Sequence, residues 1–252
     1  MKKILFLAIS ILFIASSGLF SAFRLGVNAG YAYATMDDMK AGFQAAKDAA
    51  SAGETVEIGD FGTSVFGNID LELCLTDILT VGTRTGAQYV LPVEVNIINP
   101  DPLLNTTVSY SAFLVPIMAG ANLNFKIPAT AFQVTLGAYA GYGLAFVTKT
   151  IDASSDYVPP NNITYIDNVY QGGGIMYEAN GAVEIFLADF FTISVNLAYR
   201  VAKFNNLKAV EKVEVAGYTI IPPGQLLTDP TDETRTADFS GFNGGLGINF
   251  RF

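Results

Sequence analysis

Apolar and polar residues alternate along most of this chain, and the alternation is most regular in its last eleven residues. Apolar side chains stand at nearly every second position up to Phe252, with small or polar side chains between them. The apolar set is Phe242, Leu246, Ile248, Phe250 and Phe252, and the other set includes Asn243, Gly245, Gly247, Asn249 and Arg251. Because successive side chains of a β-strand point to opposite faces, we predict a strand with one apolar and one polar face.

Seven earlier segments show the same two-residue period. The eight predicted strands span residues 23–34, 63–75, 78–90, 107–125, 132–148, 170–187, 190–204 and 242–252. Long connections follow the first, third, fifth and seventh strands, whereas short turns follow the second, fourth and sixth. Long loops at one end and short turns at the other are typical of a transmembrane β-barrel. We therefore predict an all-β fold, an up-and-down antiparallel barrel of about eight strands with apolar residues facing lipid.

Two of the long connections carry a periodic pattern of their own. After the first strand, the segment from Asp38 to Ala52 places Met39 and Phe43 at helical spacing, which predicts one short loop helix. This helix has two possible placements, resting on the barrel rim or dipping into the mouth as a plug. After the seventh strand, the segment 210–221 alternates around a pair of small residues, which predicts a hairpin rising from the barrel.

Prolines interrupt the strand pattern in two places. Pro116 lies inside the fourth predicted strand, where a proline removes one hydrogen-bond donor from the ladder, so we predict a local bulge there. Pro92, Pro100 and Pro102 follow the third predicted strand, and this stretch is predicted to be a loop.

The start of the chain has a different pattern, in which Lys2 and Lys3 precede an apolar run and then small residues. This order predicts a secretory signal peptide over residues 1–22 and a barrel domain over residues 23–252. Although 51% of the residues are hydrophobic, no later stretch approaches the roughly 18 consecutive apolar residues of a membrane helix.

Composition narrows the chemistry that the chain can perform. The sequence has no His, which removes the usual general base, the usual partner of a catalytic serine and the commonest metal ligand. Acidic residues cluster in the loops, but their spacing matches no calcium-binding motif. The formal net charge of −9 makes the chain a poor nucleic-acid binder, and the single Cys74 excludes an intrachain disulfide. We therefore predict no catalytic residue, metal or cofactor.

The last strand resembles the closing strand of small bacterial outer-membrane β-barrel proteins of the OmpA, OmpX and OmpW type. The residues that carry this resemblance are Ile248, Phe250 and Phe252, and the predicted export signal at the other end of the chain agrees with it. The resemblance implies that the terminal strand is the assembly signal, recognised by the barrel assembly machinery. It also implies a location in the bacterial outer membrane, in contact with its lipid.

Charges of both signs occupy the predicted inward row of side chains. The basic members are Arg24, Arg84, Arg200 and Arg251, and the acidic members are Asp70, Glu72, Glu178 and Glu184. Unpaired charge is costly in a narrow interior, so paired charges are expected. The two interpretations are a salt-bridge network that fills the lumen and a polar conduit. Eight strands enclose space only for side chains or one small ligand, which favours the filled lumen.

Two functions are consistent with these features. The first is a non-enzymatic integral outer-membrane barrel with a structural or surface-interaction role, in which the long external loops contact a surface ligand. The alternative is a narrow channel, similar to OmpW, for small or apolar solutes. One fold hosts many roles, so the choice depends on whether the lumen is open or closed.

Overall fold

The structure is a computed structural model that describes residues 22–50, 54–60, 62–98, 105–154, 164–211, 213–215, 218–221, 223–227 and 235–252. The predicted signal peptide lies outside the described residues except for its last position, Ala22, where the first strand begins.

Eight strands form the barrel: β1 (Ala22–Ala34), β3 (Thr63–Cys74), β4 (Leu79–Ile98), β5 (Asn105–Lys126), β6 (Phe132–Ser154), β7 (Thr164–Ala188), β8 (Phe191–Val201) and β14 (Gly241–Arg251). The connections hold the helix α1 (Asp37–Asp48) and the short strands β2 (Thr55–Ile58), β9 (Lys203–Phe204), β10 (Lys208–Ala209), β11 (Val213–Val215), β12 (Tyr218–Ile221) and β13 (Ala237–Asp238).

The eight barrel strands close into a ring in which each strand pairs with the preceding and the following barrel strand. The order is β1, β3, β4, β5, β6, β7, β8 and β14, and β14 pairs back with β1. Every one of these pairings is antiparallel. Ring closure satisfies the backbone hydrogen bonds without leaving a sheet edge, as a strand structure in lipid requires. The predicted up-and-down barrel of eight strands is confirmed.

The two faces of the ring differ in polarity, most clearly in the part nearest the short turns. On β6, the outward Leu136 is 53% exposed, whereas the adjacent Thr135 points inward and is 3% exposed. Ile175 on β7 and Leu246 on β14 are 67% and 64% exposed on the outer face. Such an apolar exterior is favourable in hydrocarbon and unfavourable in water. The polarity of the two faces therefore confirms a transmembrane barrel.

The barrel strands differ twofold in length. β1, β3, β8 and β14 have 11 to 13 residues, close to the number that spans a bilayer. β4 to β7 have 20 to 25 residues, and because short turns join β3 to β4 and β5 to β6, their extra length projects on the loop side. We call this projection the tall wall; it is formed by residues 91–98, 105–112, 147–154 and 164–170.

Parts of the tall wall were predicted to be loops, and this prediction is wrong. β4 continues through Pro92 to Ile98, and β6 continues six residues beyond Thr148. The outward positions of the tall wall, such as Ser109 and Thr150, face water and carry hydroxyl groups. The apolar residues of the alternation, such as Val108 and Val147, therefore lie on the inner face there, and the strand pairing continues. Pro100 and Pro102 lie outside the described residues.

The bulge predicted at Pro116 is also wrong. The register between β4 and β5 is the same on both sides of Pro116, although the pairs opposite Pro116 and Val115 are missing from that ladder. Pro116 therefore removes hydrogen bonds without shifting the strand. The register shift lies further along β4, between Val90 and Val93, next to Pro92.

The predicted helix is present as α1, four residues shorter at its C-terminal end than predicted. Its side chains Met39 and Phe43 are buried in the mouth of the barrel, as in the plug placement. The predicted hairpin is present as β11 and β12, which pair with each other, and its turn lies outside the described residues. Among the described residues, no helix is long and apolar enough to cross a membrane.

Candidate functional site in the barrel lumen

The short-turn half of the lumen is occupied by hydrogen-bonded charges, with Arg84 near their centre. Its guanidinium donates to both carboxylate oxygens of Asp70, from Nε at 2.7 Å and from Nη2 at 2.9 Å. Its Nη1 donates to Glu178, and its Cζ lies 4.4 Å from the ring centre of Tyr139. Two carboxylates and one aromatic ring thus hold a single guanidinium across the lumen.

Arg200 extends this group of charges towards the loop side. Its Nε and Nη2 donate to Glu178 Oε2 at 2.9 and 2.6 Å, and its Nη1 donates to Gln88 Oε1 at 2.6 Å. Gln88 in turn donates to the Ser64 hydroxyl at 3.0 Å. Arg200 is fully buried, so its charge depends on these partners instead of water.

Arg24 holds the opposite end, nearer the short turns. Its Nη2 donates to Glu184 Oε1 at 2.6 Å, and its Nη1 lies 3.8 Å from Glu72. Glu72 accepts hydrogen bonds from Asn122 at 2.6 Å and from the Tyr139 hydroxyl at 3.1 Å. Because Tyr139 also lies beside Arg84, the two groups of charges form one connected network.

The structure places all eight predicted charges on the inner face but does not bring all eight together. Seven of them form the ion pairs described above. Arg251 lies apart at the short-turn mouth, where its Nη2 donates to the amide oxygen of Gln133 at 3.1 Å. The seven paired residues are Arg24, Asp70, Glu72, Arg84, Glu178, Glu184 and Arg200.

The loop half of the lumen is an apolar core, which the sequence analysis did not predict. Leu114 points inward from β5, and Met118 and Met176 point inward at the boundary with the charged half, where Met118 pairs across the strands with Arg84; all three are at most 2% exposed. A Cβ atom at Gly143 would lie 2.8 Å from the Phe204 ring, so the glycine gives this ring room to enter the lumen. These residues are the signal in the sequence that could have predicted the apolar core, because they occupy inward positions that are polar elsewhere on the barrel strands.

The connections supply the rest of this apolar core. The Phe43 ring of α1 lies 5.1 Å from the ring of Tyr110, and the Phe204 ring lies 5.9 Å from that of Phe239. The other buried members from the connections are Met36, Met39, Val56, Ala202, Leu207, Ala209, Leu227 and Ala237. We call this whole set, together with the inward residues that it contacts, the plug core.

Two cavities inside the barrel are of water size. One of about 20 Å³ lies in the charged half, between Arg84, Glu178 and the amides of Asn28 and Asn68. Another, of about 10 Å³, lies in the plug core beside Met39 and Tyr110. A volume of 10–20 Å³ holds about one water molecule, so neither cavity accommodates a solute.

A further ion pair lies beyond the membrane-spanning strands, in the short sheet formed by β9 and β13. Lys203 Nζ lies 2.9 Å from Asp238 Oδ2, and the Asp238 carboxylate raises the pKa of Lys203. Burial opposes ionisation of Asp238, but hydrogen bonds from Ser240 and Lys203 prevail and lower the pKa of its carboxyl group. This pair joins the two ends of the connection between β8 and β14.

The three residues predicted to be the assembly signal lie on the outer face of β14 and just beyond its end. Phe252 is 74% exposed, and its N–H donates to the Phe23 carbonyl at 2.8 Å. The Phe250 ring lies 5.3 Å from that of Phe191, and Ile248 is exposed. This row is open to an external partner, and its role in assembly stays a prediction. Within the described part of the chain, no cluster of three or more acidic, Cys or His residues could hold a metal ion.

No protein-family model matches the chain, and no curated protein matches it. Among solved structures, neisserial surface protein A matches with a TM-score of 0.40 and 11% identity, over 91% of this chain and 97% of that chain. OprG from Pseudomonas aeruginosa matches with a TM-score of 0.36 and 12% identity, over 92% and 96%. The attachment invasion locus protein Ail of Yersinia pestis matches with a TM-score of 0.35 and 11% identity, over 91% and 99%.

These TM-scores lie below 0.5, so the class of the protein is defined by its own geometry. A closed ring of antiparallel strands with an apolar exterior is one of the two backbone architectures that a bilayer accepts. Short turns at one end and long connections at the other are the arrangement of outer-membrane barrels. The chain therefore has the architecture of an integral outer-membrane β-barrel protein.

Proposed function

We propose that this protein is a closed, non-enzymatic outer-membrane barrel that acts through the structure built by its external connections. The observation that carries the proposal is that two different fillings occupy the lumen in series. The charged network fills the short-turn half, and the plug core fills the loop half. A solute would have to displace both fillings to pass.

Two features support a non-enzymatic role. The sequence has no His, so it lacks the commonest general acid and base. Asp70, Glu72, Glu178 and Glu184 are buried and engaged by arginines. A buried carboxylate that is paired with a guanidinium has no open access for a substrate, which suits a structural role.

The external connections support the second part of the proposal. α1 and the segment after β8 use apolar side chains to anchor themselves in the barrel, so their outer surfaces are presented on a rigid support. Residues 35–62 contain six acidic and two basic residues, among them the exposed Asp48, Glu57 and Asp60. A partner with a basic surface would complement this region.

Planar-bilayer recording of the refolded protein tests the closed lumen. We expect no steady single-channel conductance, because the described side chains fill both halves of the lumen and the cavities found among them hold about one water molecule each. Steady conductance of the intact protein would contradict the proposal and favour a narrow channel. In that case Arg84→Ala should shift the ion preference, since Arg84 lies across the short-turn half.

Binding of a lysine-rich peptide to proteoliposomes tests the acidic surface. The variant with Asp48→Asn, Glu57→Gln and Asp60→Asn should lose this binding, whereas excision of residues 211–222 should retain it. The excision is feasible because the Gly224 N–H donates to the Ala209 carbonyl at 2.9 Å, which holds the cut ends together. Equal binding by all three proteins would contradict a role for this surface.

A further inference from the structure

A cavity of about 390 Å³ opens at the short-turn mouth of the barrel, away from both fillings of the lumen. Its lining combines inward-facing side chains with the residues of two short turns. The lining residues used below are Lys126, Phe132, Phe186, Asp189 and Arg251. This volume is more than ten times that of the water-sized cavities inside the lumen.

Arg251 differs from the other three lumen arginines because no carboxylate lies within 4 Å of it in the described structure. Arg24, Arg84 and Arg200 each form at least one such ion pair. In the described structure the Arg251 side chain donates to the amide oxygen of Gln133, and its buried Nε has no hydrogen-bond partner. A buried donor without a partner is costly, so this group favours a ligand with acceptor oxygens.

Lys126 brings a second cation to the same cavity. Its Nζ lies 5.9 Å from the ring centre of Phe186, and the guanidinium carbon of Arg251 lies 4.8 Å from that same ring. One aromatic ring thus positions two cations at one cavity. Among the described residues Lys126 makes no ion pair. The carboxylates deeper in the lumen, Glu72 and Glu184, face Arg24.

We propose that this cavity binds a phosphate group, with Arg251 and Lys126 as its ligands. A phosphate offers enough acceptor oxygens to engage both the guanidinium fork and the ammonium group. Phe132 belongs to the outward row of β6, 42% exposed, so the cavity reaches the membrane interface. Short turns face the periplasm in outer-membrane barrels, so a phospholipid of the inner leaflet can supply the phosphate. Asp189 would repel the phosphate but accommodate the ammonium of a zwitterionic headgroup.

The test measures two probes on the refolded protein in maltoside micelles: inorganic phosphate by ³¹P NMR, and phosphatidylglycerol by native mass spectrometry. Lys126→Gln should weaken binding about tenfold or more, the scale of one charge-assisted hydrogen bond. Lys47→Gln is the matched control, because it removes the same charge from the exposed face of α1 at the other end of the barrel. Asp189→Asn should strengthen binding of both probes.

Arg251→Lys keeps the positive charge but removes the planar guanidinium group, and it should weaken phosphate binding. The barrel should still fold, as judged by heat-modifiable migration in gels. Binding of the lipid but not of inorganic phosphate would support the site with a phospholipid as the source. Binding of both probes with the same dependence on Lys126 would support it with a soluble phosphate compound as the source. Equal affinities of the Lys126→Gln and Lys47→Gln variants, or no binding of either probe, would overturn the proposal.

Discussion

The two halves of the lumen are lined by the same inward row of side chains but are filled by opposite chemistry. In the short-turn half only strand side chains reach the interior, so Arg84, Arg200 and their carboxylates satisfy one another across the ring. In the loop half α1 and the segment after β8 enter the barrel and bring apolar side chains with them. Each half is therefore filled by the side chains that can reach it. These are strand side chains in the short-turn half, and side chains of the long connections as well in the loop half.

The two fillings also differ in how they stabilise the protein. A buried ion pair costs much when one partner is removed and little when the whole pair is replaced by apolar groups. An apolar core loses stability in proportion to the cavity that a truncation leaves. Substitutions in the two halves should therefore produce different kinds of failure.

The largest effect is expected in the charged half. Arg84→Ala leaves Asp70 buried without an ion pair and should lower the free energy of unfolding by about 3–5 kcal/mol. Urea titration of the protein refolded into lipid vesicles measures this loss. A control with both Arg84→Met and Asp70→Asn should lose less than the single substitution, because no uncompensated carboxylate remains at position 70. A single variant as stable as the unchanged protein would mean that water, and not Arg84, solvates Asp70.

A smaller and more local effect is expected in the plug core. Phe43→Ala removes a fully buried ring and should destabilise the loop half by about 3 kcal/mol, near the low end for such truncations. Hydrogen exchange should accelerate in α1, while the barrel keeps its heat-modifiable migration. Gln44→Ala, on the exposed face of the same helix, should change exchange little. Loss of the whole barrel in Phe43→Ala would show that the two halves unfold as one unit.

The smallest effect is expected at the ion pair beyond the membrane. The pKa of Asp238 is lowered in the folded state, so its contribution to stability is fully present above the unfolded pKa of about 3.9. This contribution to stability is lost as pH falls through the folded pKa of Asp238. The pKa of Lys203 is raised in the folded state, so its contribution to stability is lost only at high pH, as pH rises through the folded pKa, above about 10.

Protease cleavage between β8 and β14 measures this pH dependence. Cleavage of the unchanged protein should increase below about pH 4 relative to its value at neutral pH. Asp238→Asn should be cleaved at a rate that depends less on pH over the same range. Identical pH profiles for the two proteins would show that the Lys203–Asp238 pair does not hold this connection closed.

The sequence was sufficient for the barrel because the barrel depends on a local pattern. Leu136 and Thr135 are adjacent, and their opposite polarity alone assigns them to opposite faces of a strand. The eight strands, the short turns and the inward placement of Arg24, Arg84 and Arg200 all followed from this two-residue period. The pattern failed in the tall wall, where the outward side chains of β5 and β6, such as Ser109 and Thr150, lie beyond the lipid and are polar, while inward ones such as Val108 are apolar and buried.

Tertiary structure alone decided what fills the barrel. One partner of Arg84 is Glu178, 94 positions away, and one partner of Arg24 is Glu184, 160 positions away. Alternation gives no distance between strands that are not neighbours. The alternation also gives no reason for Phe43 of α1 and Phe204 to lie inside the barrel. The direction in which a long connection folds depends on the space that the ring of strands leaves open. Sequence by itself determined which side chains face lipid; the closed ring determined which of the others meet.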